Sequence, residues 1–142
     1  MTFEKIIAIT GKPGLYQILS QNKTSIIVES LLDKKRRAVT FRQQLSALKD
    51  IAIYTYDEEI PLKIVFKTIF DKENGLTSVS SKANKQELFA YFREILPEFD
   101  EDRVYISTIK KIINWYNLLF DNKFEFKQLE IKTNKENKKG KD

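Results

Sequence analysis

The stretch Ile6-Ile-Ala-Ile-Thr-Gly-Lys-Pro-Gly-Leu-Tyr-Gln-Ile-Leu19 constrains this chain more than any other. Two apolar, β-forming runs flank Gly11-Lys-Pro-Gly14, where Pro13 presets φ near about −65° and either glycine takes positive φ without strain. The segment reads as a β-hairpin. Beyond it, Ser20-Gln-Asn-Lys23 is a polar turn into Thr24-Ser-Ile-Ile-Val-Glu-Ser30, whose three consecutive β-branched aliphatics predict a third strand buried on both faces. Asp33-Lys-Lys-Arg-Arg37 makes a charged tip before a fourth strand, Ala38-Val-Thr-Phe41. Arg42 to Leu48 reads as a helical or 3₁₀ turn, and the alternating Ile51-Ala-Ile-Tyr-Thr-Tyr56 as a fifth strand. Five short strands at about ten-residue spacing, with one helical turn before the last, predict a strongly bent SH3-like barrel over residues 1–56. An OB-fold is the nearest competitor, but it calls for longer strands.

At Asp57-Glu-Glu-Ile-Pro61 the apolar period changes from two to 3.6. Leu62, Val65, Phe66, Ile69 and Phe70 form one helical stripe, and Asp71-Lys-Glu-Asn-Gly75 stops it. Asn84 with Glu87 three residues on predicts a capping box for a second helix, which buries Leu88, Phe89, Phe92, Ile95 and Leu96 before Pro97. A third helix, capped near Ser107 and running to Phe120, carries Ile106, Ile109, Ile112, Ile113, Trp115, Tyr116 and Leu119. More than half its surface is apolar, which predicts the most buried helix, and Phe124-Glu-Phe126 adds a short docking segment. The expected class is therefore α+β, with the barrel followed by a three-helix region over 57–127 and a disordered basic tail over 128–142.

Composition narrows the chemistry. The 142 residues include no histidine and no cysteine, which removes disulfides, thiolate metal sites, Ser-His and Cys-His pairs, and the commonest general base at neutral pH. No enzyme activity, cofactor, metal site or small-molecule substrate is expected. The net charge of +5 is mild, and Lys132, Lys135, Lys138, Lys139 and Lys141 supply much of it, so the folded part is nearly neutral. Nowhere do 18 uncharged apolar residues follow one another, and the first residues lack a leader pattern, so the expectation is a cytoplasmic protein outside the membrane.

The blocks Ile9-Thr-Gly-Lys-Pro-Gly-Leu-Tyr16, Ile27-Val-Glu-Ser-Leu31, Asp50-Ile-Ala-Ile-Tyr-Thr55 and Lys110-Lys-Ile-x-x-Trp-Tyr116 together resemble a family of small uncharacterised bacterial proteins, grouped as a domain of unknown function. The resemblance covers roughly residues 3–120 and implies no activity, substrate or catalytic residue.

Among single features, Gly11-Lys-Pro-Gly14 departs from the phosphate-loop pattern at Ile6 and at Pro13, so it reads as a structural turn. Lys34-Lys-Arg-Arg37, with Lys12 and Arg42 on the same barrel rim, is a candidate contact for a phosphate backbone. Tyr16, Tyr54 and Tyr56 are candidate aromatic platforms for bases or for a peptide's prolines. Asp57-Glu-Glu59 and Asp100-Glu-Asp102 lack calcium-loop spacing and read as solvated helix-start and linker acids. Trp115 reads as core or interdomain packing. The function expected first is a non-enzymatic binding module contacting RNA or a ribonucleoprotein through Lys12, Lys34, Lys35, Arg36, Arg37 and Arg42. The alternative is a protein–protein adaptor using the barrel groove or the aromatic helices.

Overall fold

Antiparallel pairing begins at the first turn. The computed structural model describes residues 1–129, so the expected tail lies outside the described residues from 130 onward. Strand β1 (Ile6–Ile9) pairs with β2 (Tyr16–Gln21) across Gly11 at φ +84° and Gly14 at φ +75°, the left-handed conformations that only glycine adopts freely. β3 (Ser25–Ser30) and β4 (Arg36–Thr40) continue the meander, and β5 (Leu45–Ala47) returns to the far side of β1. The order is β4-β3-β2-β1-β5, a five-stranded antiparallel sheet followed in the chain by three helices. Here the fifth strand differs from expectation. The segment read as a helical turn supplies it at Leu45–Ala47, and the 3₁₀ turn, Leu48–Asp50, comes after it. Ile51 to Tyr56 instead enters a separate hairpin, β6 (Ala52–Tyr54) with β7 (Glu59–Pro61). Its alternation gave a correct strand with the wrong partner, because period marks burial and not pairing.

No pairing joins β4 to β5 among the described residues, so the sheet is not closed into a barrel. It is nonetheless curled. From Thr40 to Leu45 is five Cα steps, about 17 Å at full stretch, whereas the edges of a flat five-stranded sheet lie about 19 Å apart. A turn bond from Gln43 N–H to Thr40 C=O (3.2 Å) shortens the link further, and a register shift in β2 between Ile18 and Ser20 supplies a bend. The concave side encloses Ile7, Ile9, Tyr16, Ile26, Val28 and Val39. Ile27 faces the other way and is half-buried, so β3 alternates instead of being buried on both faces.

Ile6, Leu15, Leu31 and Leu48 join a second, larger cluster with the helices. α1 (Leu62–Lys72) buries Leu62, Val65, Phe66 and Ile69 and stops where Gly75, at φ +79°, donates to Phe70 C=O (2.9 Å). α2 (Lys85–Ile95) opens on the expected capping box: Glu87 N–H donates to Asn84 Oδ1 (2.8 Å) and Asn84 N–H to Glu87 Oε1 (3.2 Å). α3 (Ile106–Asp121) buries Ile109, Ile112, Ile113, Tyr116 and Leu119, and its cap is Tyr105, without a side-chain bond. Phe124 and Phe126 pack edge to face at 5.0 Å, and Phe126 also lies 4.8 Å from Tyr116. A 3₁₀ turn, Phe126–Leu129, follows, with Leu129 buried and Gln128 Oε1 accepting from Phe3 N–H (3.0 Å).

Candidate functional site

α3 is amphipathic in an unusual way: one side enters the core, while Thr108, Lys111, Ile112, Trp115 and Leu118, at helical spacing, line an open cleft. The facing wall is the outer surface of the sheet. At Ile6, Leu15 and Leu31 that surface is closed by core packing, but the registered pair Ala8 and Ser46 offers only small side chains. Sheet and helix separate there, and a volume of about 900 Å³ remains between them. Gly11-Lys-Pro-Gly14, Leu32, Ile51 and Ile53 also line it. Gly14 matters to the shape: a Cβ there would stand 2.6 Å from Leu32 Cδ1 and 3.5 Å from Leu118 Cδ2, so its bare backbone lets turn, tip and helix converge.

The polar lining of the cleft comprises two lysines, one aspartate, two asparagines and the hydroxyls of Thr10, Ser46 and Thr108. Lys12 on the turn and Lys111 on α3 make no ion pair among the described residues, and Asp121 is the acid of the lining. Asn114 and Asn117 are engaged: Asn114 Oδ1 accepts from Ser81 Oγ (2.7 Å), and Asn117 accepts from Ser78 N–H (2.8 Å) and donates to Val79 C=O (3.1 Å). These bonds strap the loop after α1 along the helix. Asn122, just past α3, donates to Leu31 C=O (3.1 Å) and so ties the helix to the sheet. Both walls are thereby fixed.

The residues singled out from the sequence are not one constellation. Lys12 lies on the cleft, and Lys34, Lys35, Arg36 and Arg37 share its end of the sheet, since Leu31 N–H at their tip donates to Leu15 C=O (2.9 Å). The tip's two arginines are paired with carboxylates, while Lys34 and Lys35 make no ion pair among the described residues. Asp33 accepts from Arg37 (2.7 Å) and from Lys35 N–H (2.9 Å), bonds to Arg37 first that lower its pKa to about 2. Arg36 meets Glu29 at 3.3 Å, and Lys34 holds the tip's left-handed position at φ 64°. Arg42 sits on the β4–β5 link. Tyr16 is buried among the concave-side residues, where it offers no platform. Tyr54 is 40% exposed, yet the Arg103 guanidinium covers its ring at 4.3 Å while donating to Asp100 (2.8 Å). Tyr56 is exposed beside it. Trp115 is half-buried, with one side on the core and the other on the cleft.

Sequence reasoning missed Ala8, Ser46 and Leu32 altogether. Small residues carry no signal until register sets them opposite a helix. Leu32, 55% exposed, was legible only as an aliphatic stranded beside a charged tip.

Among the described residues no helix is long and apolar enough to cross a membrane. Residues 3–48 match the model of a domain of unknown function (DUF5606), and residues 51–119 match a second (DUF6852). No curated protein matches the chain. A solution NMR structure of a protein from Bacteroides vulgatus, from the Northeast Structural Genomics Consortium, is similar to it. The two are 43% identical, with a TM-score of 0.71 over 87% of this chain and 89% of that one. The boundary between the two matched segments falls in the 3₁₀ turn between β5 and β6, and the cleft is built from both sides of it.

Proposed function

The chain belongs to the family described by these two domains of unknown function, and from that premise we propose that it is a non-enzymatic protein-interaction module that clamps an extended segment of a partner protein between its sheet and α3. The cleft carries this reading: an aromatic ring, apolar walls and two lysines along one concavity are the ordinary ingredients of a peptide site. Absence of histidine and cysteine from the sequence supports the non-enzymatic part and fits a reducing, cytoplasmic setting. The curled β4-β3-β2-β1-β5 meander, with its bend in β2, supports taking the N-terminal half as a small barrel of the SH3-like kind.

Contact with RNA through the basic tip has weaker support. Arg36 and Arg37 are already paired with carboxylates, Tyr16 is buried, and Arg103 covers one face of Tyr54.

One experiment addresses both. The sequence contains a single tryptophan, so its fluorescence reports on the cleft directly. Seven-residue peptides selected from a displayed library are expected to shift Trp115 emission, and Ser46→Leu, which fills the cleft from its open side, is expected to abolish the shift without lowering the melting temperature. Selected peptides that bind the Leu variant equally well would overturn the reading. Single-stranded RNA is expected to leave the emission unchanged; binding at about 50 mM salt with a log–log salt slope near −0.7 per phosphate would favour the basic tip instead.

A further inference from the structure

We infer that the segment held in the cleft is acidic, an extended run of about six residues whose carboxylates bridge Lys12 and Lys111; this rests on the cleft being a peptide site. Length comes first. From Thr108 to Asp121 the lining follows α3 for thirteen residues, about 20 Å at 1.5 Å per residue. An extended chain covers that in about six residues.

Charge comes second. Lys12 stands on the turn and Lys111 on the helix, on opposite walls, and neither has an ion-pair partner among the described residues. Asp121 is the acid of the lining against these two lysines, and the Oδ1 atoms of Asn114 and Asn117 are already taken by the strapping loop, so the lining carries a net positive charge. A neutral segment leaves both ammonium groups without a counter-charge. An acidic one neutralises both. The chain's own residues 130–142, whose five lysines outnumber three acids, are disfavoured on the same ground. Apolar side chains of the segment face Trp115 and Leu118, and small ones pass over Ala8 and Ser46.

Three hexapeptide series with one common apolar pattern, flanked by Asp/Glu, by Asn/Gln or by Lys, are titrated into the full chain with Trp115 emission as readout. The acidic series is expected to bind about tenfold tighter than the neutral one at low salt, as two partly exposed ion pairs of roughly 0.7 kcal/mol each convert to that ratio. Lys12→Gln and Lys111→Gln are each expected to remove about threefold of it, and the double variant all of it, with circular dichroism unchanged. Equal affinity of acidic and neutral peptides, both blocked by Ser46→Leu, overturns the inference and leaves the cleft as a peptide site. Tightest binding by the Lys-flanked series overturns it too. Peptides that ignore Ser46→Leu overturn the underlying reading and the inference with it.

Discussion

Gly14 and Gly11 look interchangeable in the sequence and are not. Both hold positive φ, but around Gly11 no heavy atom lies within 4 Å of a built Cβ, whereas at Gly14 that atom meets Leu32 and Leu118. Gly11→Ala therefore costs only the left-handed strain, about 1 kcal/mol. Gly14→Ala adds displacement of Leu32, a flexible and exposed tip, and is expected to cost about 1–2 kcal/mol in a denaturant titration, with Gly14→Val worse because its branched Cβ suits that φ least. Equal midpoints for the two alanine variants would mean that the Leu32 contact contributes nothing. Tyr116 makes a second residue-scale case. Its hydroxyl donates to Leu76 C=O (2.8 Å), and burial first, then the nearby Glu73 and Asp71, push its pKa from 10.0 to about 12. The unfolded chain loses that proton first, so the stabilisation is intact below pH 10 and is lost as pH rises from 10 toward 12. Thermal melts are expected to fall through that window, and less steeply for Tyr116→Phe, which itself costs about 1 kcal/mol at neutral pH by loss of the bond.

At the scale of elements, what was legible in the sequence followed from local chemistry. The helix stripes, the Gly75 stop and the Asn84–Glu87 box arise within a few residues, and each stands in the structure where spacing put it. What was not legible depends on contacts distant in sequence. Leu45–Ala47 is too short and too flanked by glutamines to announce a strand, and it becomes one only because β1 presents a free edge; Ile51–Tyr56 announces a strand but finds its partner at β7 instead of β1. The cleft was hidden for the same reason, since Ala8 and Ser46 matter only once paired. The capping box offers a direct measurement: Asn84→Ala removes the bond that Asn84 Oδ1 accepts from Glu87 N–H, leaves the backbone N–H of residue 84 donating to Glu87, and is expected to cost about 1 kcal/mol, with early fraying at Lys85–Leu88 visible in amide exchange. Unchanged exchange there would mean that α2 is held by Leu88 and Phe92 in the core and not by its cap.

Over the whole molecule, the two matched segments meet in one core. Phe3, Ile6, Leu15, Leu31 and Leu48 from the sheet side pack in a single cluster with Phe66, Ile109, Tyr116 and Phe126 from the helical side, and Phe3 stands edge to face with Phe66 at 6.2 Å. Without the helices, the sheet keeps only its concave-side cluster of six buried residues and exposes the other face. A curled sheet with so small a core falls below what an independent domain of about fifty residues needs. Residues 1–50 alone are therefore expected to give a poorly dispersed amide NMR spectrum, and the full chain to melt in one cooperative transition reported alike by Trp115 fluorescence and far-ultraviolet circular dichroism. Two separated transitions, or a well-dispersed spectrum from the isolated sheet, would mean that the halves fold independently. In that case the cleft, whose walls come from both, would be a hinge between bodies instead of a rigid clamp, and its affinity for an extended segment would be lowered by the cost of bringing the walls together.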